Sequence, residues 1–335
     1  MLKTTENDSQ SIAKNIFRLI GRELTLVERE LERQAASNIQ VISHLGEYLH
    51  TSGGKRLRPA LTVLSSYVAG GNGSLPGSIR MAAVMEFLHM ATLVHDDIID
   101  NAETRRNRQT INSRYGNQTA VLVGDWLYMA AFETSLAERS LQILYILTAV
   151  TRRMTEGELI QMTLIGSTDI TPEQYFDILK RKTAYLFSAC CEIGAILGGG
   201  SEKAQAALRD YGLHLGMAFQ LIDDLLDFTS TDEALGKPVG ADILEGKLTF
   251  PLIYMLRVAP EKRRAVQSIL REGEYNTITR EEIRHGIEET GALDQTYQAA
   301  QEHLHAARDA LYDFTDSPHT NALRDLPAYI LRREK

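Results

Sequence analysis

The sequence predicts an all-α protein that folds as a single domain. Apolar residues recur at helical spacing along almost the whole chain, and no convincing run of alternating strand residues interrupts that spacing. Hydrophobic side chains make up 44% of the 335 residues, which is ample for a sizeable core. No linker divides the chain, so we expect one helical domain over residues 1–335.

Glycine and proline set the expected helix boundaries. The stretch GGNGSLPGS separates two helices, Thr171-Pro172 begins a helix, and GGGS at 198–201 ends one. Several shorter helices are expected after Thr249. The longer predicted helices cover about Ser9–His50, Leu57–Ala69, Ser78–Asp100, Thr119–Glu138, Leu141–Leu164, Pro172–Leu197 and Glu202–Phe228.

Charge and cysteine content limit the classes of function. The net charge is −8, with 44 acidic against 36 basic residues, so nothing global favours nucleic acid as a partner. The adjacent Cys190 and Cys191 fit neither a CxxC redox pair nor a zinc site, and we interpret them as core residues in a reducing cytoplasm. The polar start MLKTTENDSQ and the charged interruption of the apolar stretch 81–94 predict neither secretion nor a transmembrane segment.

Two copies of one acidic pattern, HDDIID and IDDLLD, lie in strongly apolar segments. An ionised carboxylate in apolar surroundings costs several kcal/mol unless it is paired or bound to a metal, so the two groups indicate one shared cation site. Carboxylate oxygens favour Mg²⁺ over zinc or copper. The candidate metal ligands are Asp96, Asp97, Asp100, Asp223, Asp224 and Asp227.

Helical geometry divides these aspartates into two kinds. Offsets of four return to nearly the same face, so the first and last aspartate of each motif should point together. Asp97 and Asp224 lie further round, where direct ligation, ligation through water and a place outside the ligand shell all remain open. Alternatively, the two motifs are helix ends that carry surface acids without a function. The second copy of the motif argues against this alternative.

Basic residues cluster close to the acidic motifs, in GGKRLRP at 53–59 and in ETRRNR at 103–108. Arginine forks and lysine charges suit diphosphate oxygens, and a glycine loop that leads into a helix adds backbone donors. The alternative is a solvated charge run or an RNA-binding patch. An acidic chain without interleaved aromatic residues makes nucleic acid the weaker choice.

Further polar residues are individually ambiguous. Lys182 and Thr183 fall inside a helical pattern, and Gln220 lies three residues before the second acidic motif. His89 lies about 20° round the helix from Asp96 and could donate to a phosphate, although a lone helical histidine is more often a core residue. The segment LGKPVGADILEGK suits a lid over a phosphate site as well as it suits an ordinary surface loop.

Several motifs resemble, in order, the trans-isoprenyl diphosphate synthases, especially their long-chain polyprenyl branch. They are GGKRLRP, FLHMATLVHDDIID followed by TRR, VLVGDWLY, RKTAYLF, and FQLIDDLLDF with LGKPVGADILEGK. The resemblance covers about residues 53–251. It implies a helical bundle of the isoprenoid synthase type with a central cavity, and it implies a homodimer. None of the matched motif positions departs from the family pattern.

The resemblance also implies the role of each matched residue. The six motif aspartates would hold about three Mg²⁺ ions that bridge to the diphosphate of an allylic substrate. The diphosphate of isopentenyl diphosphate would be bound by Lys55, Arg58, His89 and Arg106. The allylic diphosphate or the developing carbocation would be served by Arg105, Lys182, Thr183, Gln220, Lys237 and Lys247. The residues expected to act in the reaction itself are Asp96, Asp100, Asp223, Arg105, Lys182 and Lys237.

The implied reaction is electrostatic and needs no protein nucleophile. Metals and arginines neutralise the departing diphosphate, so the allylic C–O bond ionises. The double bond of isopentenyl diphosphate then attacks the carbocation, and loss of a proton gives a trans product one unit longer. Closure of residues 229–249 would keep water away from the cation.

Product length should depend on residues upstream of Asp96. Leu88 and Thr92 lie on the aspartate face of the helix, whereas the resemblance, not the geometry, points to Ala91 as a chain-length position. A small Ala91 favours a long product of about C30 to C50, as used in quinone side chains, with a transient membrane contact expected for product release. Alternatively, Ala91 only permits close helix packing.

Rival functions differ in particular features. A short-chain farnesyl or geranylgeranyl diphosphate synthase is the nearest alternative. A class I terpene cyclase also uses a DDxxD motif with Mg²⁺, but it usually has a different second metal motif and lacks the GGKRLRP cluster. A helical scaffold without activity is disfavoured, because such a protein would be expected to have lost some of the aspartates.

Overall fold

The fold is all-α, as predicted. A computed structural model describes residues 3–36, 39, 41–42, 56–73, 75–105, 108–230, 240–276 and 278–332. The helices are α1 (Lys3–Leu19), α2 (Gly21–Ala35), α3 (Leu57–Val68), α4 (Pro76–Ile99), α5 (Ile111–Tyr115), α6 (Asn117–Ser135), α7 (Leu141–Leu164), α8 (Pro172–Leu179), α9 (Tyr185–Leu197), α10 (Glu202–Thr229), α11 (Ala241–Leu244), α12 (Phe250–Val258), α13 (Arg263–Glu272), α14 (Arg280–Glu289), α15 (Ala292–Ala310) and α16 (Pro318–Leu331).

Short elements join some of these helices. An antiparallel hairpin pairs β1 (Thr104–Arg105) with β2 (Arg108–Gln109) directly after α4. A π-helical segment, Lys180–Ala184, connects α8 to α9. Segments of 3₁₀-helix follow α6 at Leu136–Glu138 and α12 at Pro260–Lys262.

The first predicted helix was wrong as a single element. α1 ends at Leu19 and α2 begins at Gly21, with Ile20 between them in a non-helical conformation. Apolar spacing continues across this break, because Ile16 and Ile20 are as buried as the core positions of α2. Periodicity therefore gave no signal of the break, and residues 43–50 of the predicted helix lie outside the described residues.

The helix α10 organises the site-bearing half of the bundle. It packs against both α9 and α15, while α9 also packs against α3, and α4 packs against α6. Two glycines allow the close approach of α9 to its neighbours: a Cβ on Gly194 would lie 2.3 Å from the carbonyl oxygen of Thr62, and one on Gly212 would lie 2.5 Å from that of Phe187. Side chains at these positions would force the helices apart.

The helices of the described residues do not have the character of membrane spans. Within the described part of the chain, none combines the length and the apolar character that a membrane-spanning helix requires. Their apolar residues instead form one continuous core that extends from α1 to α16.

Candidate active site

A cavity of about 400 Å³ lies among α4, α7, α8, α10 and the segment 242–249. Its wall near the motifs is polar and strongly charged. The charged or hydrogen-bonding residues that line it are Arg58, His89, Thr92, Asp96, Asp100, Arg105, Gln161, Tyr175, Lys182, Thr183, Gln220, Asp223, Asp224, Asp242, Lys247 and Thr249. The two acidic motifs, 127 residues apart in sequence, therefore share one cavity.

The first acidic motif ends α4 and divides as helical geometry requires. Asp96 and Asp100 both line the cavity. Asp97 is directed elsewhere: its side chain is only 2% exposed, and its Oδ1 accepts a hydrogen bond of 2.7 Å from Nε of Arg105. Asp97 thus orients an arginine that itself lines the cavity.

The second motif divides differently from the expectation. Asp223 and Asp224 line the cavity, but Asp227 does not. The backbone N–H of Gly240 donates to the carbonyl oxygen of Asp227 at 2.7 Å, and that of Asp242 donates to its Oδ2 at 3.4 Å. Asp227 lies one turn after Asp223 in the same helix, but its contacts are with the returning chain at the start of α11 and it does not line the cavity.

Both lysines of the cavity wall, Lys182 and Lys247, are paired with acids. Nζ of Lys247 donates to Oδ1 of Asp100 at 2.9 Å and to Oε2 of Glu245 at 2.8 Å. Nζ of Lys182 lies 2.5 Å from Oε2 of Glu158 and also donates to Gln161. Lys247 therefore joins the first acidic motif to the segment that follows the second one.

Arg56, which immediately precedes α3, belongs to a partly buried ion-pair network. Arg56 has a left-handed backbone conformation, with φ of 49°. Its guanidinium donates to Oε1 of Glu28 and to Oε1 of Glu86, both at 2.6 Å. Two residues later, the Arg58 guanidinium lies 5.0 Å from the ring centroid of Phe187 and lines the cavity. Sequence reasoning gave Arg56 no role of its own.

Three residues with predicted roles, Lys55, Arg106 and Lys237, lie outside the described residues. Of the chain-length candidates, only Thr92 lines the cavity, and its hydroxyl donates to the His89 carbonyl oxygen at 2.7 Å. Leu88 and Ala91 are completely buried in the core.

Ionisation of two carboxyl groups in the cavity wall is unfavourable. Burial raises the pKa of Asp96 to about 7, while the charge of Lys182 opposes this shift and that of Glu158 adds to it. Burial also raises the pKa of Asp224 to about 8, and neighbouring Asp242 adds to the effect. A cation bound between such groups would relieve this repulsion and stabilise the ionised forms.

The donor set fits a hard divalent cation. Every candidate ligand is a carboxylate, and such oxygens suit Mg²⁺ or Ca²⁺. Among the described residues, however, no three acidic, histidine or cysteine side chains converge closely enough to hold an ion unaided. Mg²⁺ commonly uses only one or two carboxylates and takes its other ligands from water and substrate phosphates, so this separation suits a metal that arrives with a diphosphate.

A model of the polyprenyl synthetase family matches residues 39–286. The chain belongs to this family. The resemblance carried by the motifs is thereby confirmed, and the protein is an enzyme that transfers prenyl groups, a trans-prenyltransferase.

Its relatives in the polyprenyl synthetase family match over nearly their whole length. Octaprenyl diphosphate synthase of Escherichia coli is 36% identical over 323 residues, covering 96% of this chain and 99% of the relative. The octaprenyl diphosphate synthase of Haemophilus influenzae is 37% identical over 317 residues, covering 94% of this chain and 95% of the relative.

A solved structure agrees in fold. The polyprenyl synthase of Caulobacter crescentus, complexed with calcium and isoprenyl diphosphate, superposes with a TM-score of 0.91 at 34% identity. That match covers 96% of this chain and 98% of the other.

Several polar residues in or beside this prenyltransferase cavity were not predicted. Asp242 lies in the LGKPVGADILEGK segment, and Glu158 and Gln161 lie in α7 beside Lys182. Tyr175 lies seven residues before Lys182, and its hydroxyl donates to Asp224. The available signal was helical spacing, since an offset of seven returns to nearly the same face as Lys182.

The raised carboxyl pKa values predict that the metal-free protein is less stable at high pH. The folded values for Asp96 and Asp224, about 7 and about 8, exceed the ordinary value of 3.8, so the folded state holds protons that the unfolded state has lost. Stability should therefore fall as pH rises through this window and be greater near pH 6 than near about pH 8.5. Melting temperatures measured with a chelator present test this.

Asp224→Asn should flatten that pH dependence, because the variant lacks one of the titrating groups. Asp309→Asn, at an exposed position of α15, is the matched control and should retain the slope of the unmodified protein. An Asp224→Asn protein with an unchanged slope would contradict the prediction.

Proposed function

We propose that the enzyme condenses isopentenyl diphosphate with an allylic diphosphate and repeats this step to give a long all-trans polyprenyl diphosphate of about C30 to C50. The observation that carries the proposal is the single cavity into which both acidic motifs and the paired cations face. The octaprenyl diphosphate synthases among the relatives support a long product. A short chain isoprenyl diphosphate synthase of Methanothermobacter thermautotrophicus is also 36% identical, which keeps the short-chain alternative testable.

The proposed cofactor is Mg²⁺, with about three ions held chiefly by Asp96, Asp100 and Asp223. Bound there, it would neutralise the charge that develops on the departing diphosphate. The contacts of Asp97 with Arg105, and of Asp227 with the chain at 240–242, favour indirect roles for these two aspartates. The polyprenyl synthase of Caulobacter crescentus, which was crystallised with calcium and isoprenyl diphosphate, supports a divalent cation together with a diphosphate.

The protein's own cations would take up the diphosphates. Arg58 and His89 line one part of the cavity and are proposed to bind isopentenyl diphosphate, together with Lys55 and Arg106. The allylic diphosphate would draw Lys182 and Lys247 from their present acidic partners, since a diphosphate offers more negative charge than one carboxylate. Arg105 would stay oriented by Asp97, and Lys237 would act from the segment after the second motif.

Apolar residues form the remainder of the cavity wall. They include Leu93, Met154, Ile178, Leu186 and Phe219. Such a surface would receive the growing prenyl chain and keep water from an allylic cation, because it offers no nucleophilic side chain.

Product analysis tests the proposed function directly. The purified enzyme would be incubated with Mg²⁺, labelled isopentenyl diphosphate and farnesyl diphosphate, and the products would be sized by chromatography. We expect products of about C30 to C50. A product confined to C20 would overturn the long-chain proposal, and consumption of farnesyl diphosphate without isopentenyl diphosphate would indicate a cyclase.

Bulk at position 92 is expected to shorten the product. Thr92 lies on the cavity wall one turn before Asp96, so Thr92→Phe would fill space into which the prenyl chain grows. The product distribution should shift by about two isoprene units or more toward shorter chains. Thr92→Val is the matched control, since it removes the hydroxyl without adding volume. Unshifted product lengths in Thr92→Phe would contradict this use of the cavity.

We also propose a homodimer formed through one face of α6 and α7. Among the exposed positions of these helices, large apolar side chains that water would otherwise surround recur at helical spacing. The most exposed are Leu122, Met129, Leu141, Tyr145 and Leu159. A second copy that presents the same face would cover them by two-fold symmetry.

Charge on this face should separate the copies. We expect the unmodified protein to sediment at twice the chain mass of 37.4 kDa, and Leu122→Asp/Met129→Asp to sediment as a monomer. Tyr312→Asp, at an apolar residue that is 87% exposed outside α6 and α7, should leave the dimer intact. A monomeric unmodified protein would disprove the proposed interface.

Other expectations stay predictions. These are the single domain over residues 1–335, the cytoplasmic location, the membrane contact during product release and the use of the product for quinone side chains.

A further inference from the structure

Tyr175 is fixed in the cavity wall by its own helix and by aromatic packing. α8 begins with a capping box, in which Thr171 and Gln174 satisfy each other's backbone N–H groups. The Tyr175 ring then packs edge-on against Phe176 at a centroid distance of 5.3 Å and stacks with Phe250 at 5.6 Å. Only 5% of the residue is exposed, so its hydroxyl has a defined position.

The Tyr175 hydroxyl begins a chain of three hydrogen bonds. It donates to Oδ2 of Asp224, whose other oxygen accepts from Nε2 of Gln220 at 3.1 Å. Oε1 of Gln220 in turn accepts from the Thr183 hydroxyl at 3.0 Å. The chain joins α8, α10 and the π-helical segment, and all four residues line the cavity.

The donors of this chain have a fixed direction. In its ionised form, which a bound cation would stabilise, the Asp224 carboxylate only accepts hydrogen bonds, so the Gln220 amide then turns its NH₂ group toward Asp224 and its oxygen toward Thr183. The single hydroxyl hydrogen of Thr183 is then used by Gln220. What this pair can donate to an anion is therefore the second N–H of the Gln220 amide.

We propose that Tyr175 is a positioning residue that, by holding Asp224, sets the direction of the Gln220 amide toward the allylic diphosphate. This inference rests on the proposed function, because it takes Gln220 and Thr183 as groups that face that diphosphate. Without the Tyr175 hydroxyl, Asp224 loses a donor at one oxygen and can turn toward other donors, which releases Gln220.

Tyr175→Phe tests the proposal, since it keeps the ring and its aromatic packing. We expect the KM for farnesyl diphosphate to rise about 10-fold, while the KM for isopentenyl diphosphate changes less than about twofold. The affinity for inorganic pyrophosphate in the presence of Mg²⁺, measured by calorimetry, should weaken by a similar factor. An unchanged KM for farnesyl diphosphate would overturn the proposal.

Tyr211→Phe is a matched control. Tyr211 is fully buried, and its hydroxyl donates to the carbonyl oxygen of Leu323 at 2.7 Å, away from the cavity lining. This variant loses a comparable buried hydrogen bond, so a similar fall in melting temperature is expected without any change in KM. Equal KM effects in the two variants would mean that Tyr175 acts only through stability, which would also overturn the proposal.

A double-mutant cycle tests the route through Gln220. In a Gln220→Ala background, Tyr175→Phe should raise the KM for farnesyl diphosphate by less than about twofold. If the KM of the double variant instead rises by the product of the two single-variant increases, Tyr175 does not act through Gln220. If the proposed function is wrong, the unmodified enzyme will consume no isopentenyl diphosphate. The pyrophosphate affinities of the variants would still decide the role of Tyr175 in that case.

Discussion

Alanine at Asp96 or at Asp223 is expected to lower kcat/KM for prenyl elongation by about 10³-fold or more. The two residues belong to different helices, α4 and α10, and line the same cavity. Each would contribute a carboxylate to the cations that receive the departing diphosphate. The loss should be large because ionisation of an allylic diphosphate depends on charge neutralisation, and no acid, base or nucleophile of the protein can replace that contribution.

Steady-state assays across a range of Mg²⁺ concentrations would measure this effect. Added Mg²⁺ should restore little of the activity if a ligand has been removed. Asp309→Ala serves as the control, because Asp309 is exposed on α15 and does not line the cavity. Undiminished activity in both variants would instead support a protein whose acidic motifs have no catalytic role.

Removal of Arg56 is expected to destabilise the fold by about 3–5 kcal/mol. Its guanidinium bridges Glu28 of α2 and Glu86 of α4, and the Glu86 side chain is only 6% exposed. Arg56→Met would leave Glu86 charged and without this partner inside the core. An unpaired carboxylate in the core lowers the stability of the fold far more than a broken surface ion pair does, because water cannot replace the missing charge.

Urea unfolding would measure the loss of free energy. Glu86→Gln added to Arg56→Met should recover part of it, since the uncompensated charge is then absent. Arg33→Met is the matched control: Arg33 is 64% exposed and pairs with Glu30 on the surface, so a loss below about 1 kcal/mol is expected. Equal losses in Arg56→Met and Arg33→Met would show that burial adds nothing to the importance of Arg56.

The parts of the site that lie within one helix were predictable from sequence. Asp96 and Asp100 share a face because one helical turn separates them, and both line the cavity. Asp227 has the same spacing from Asp223 but does not line the cavity, because the chain that returns from residue 240 contacts it at the end of α10. Helical spacing predicts which side chains of one helix share a face. Whether such a side chain reaches the cavity also depends on how the following chain packs against the end of the helix.

Contacts between distant segments could not be predicted in this way. The hydrogen bond from Tyr175 to Asp224 joins residues 49 positions apart, and the Arg56 pair with Glu28 joins residues 28 apart. No local pattern records such a contact. Motif resemblance predicted many of the residues that line the cavity, but it gave no signal for the residues that hold them in place.

The close packing of α9 has a consequence for how the enzyme tolerates sequence change. At Gly194 and Gly212 the backbone of α9 meets α3 and α10 without an intervening side chain. The spacing between the helix of Arg58 and the helix of the second acidic motif is therefore set by backbone atomic radii and not by rotamers. Substitutions among the aliphatic core residues can accumulate without altering the distance between these two helices, whereas one methyl group at either glycine would change that distance.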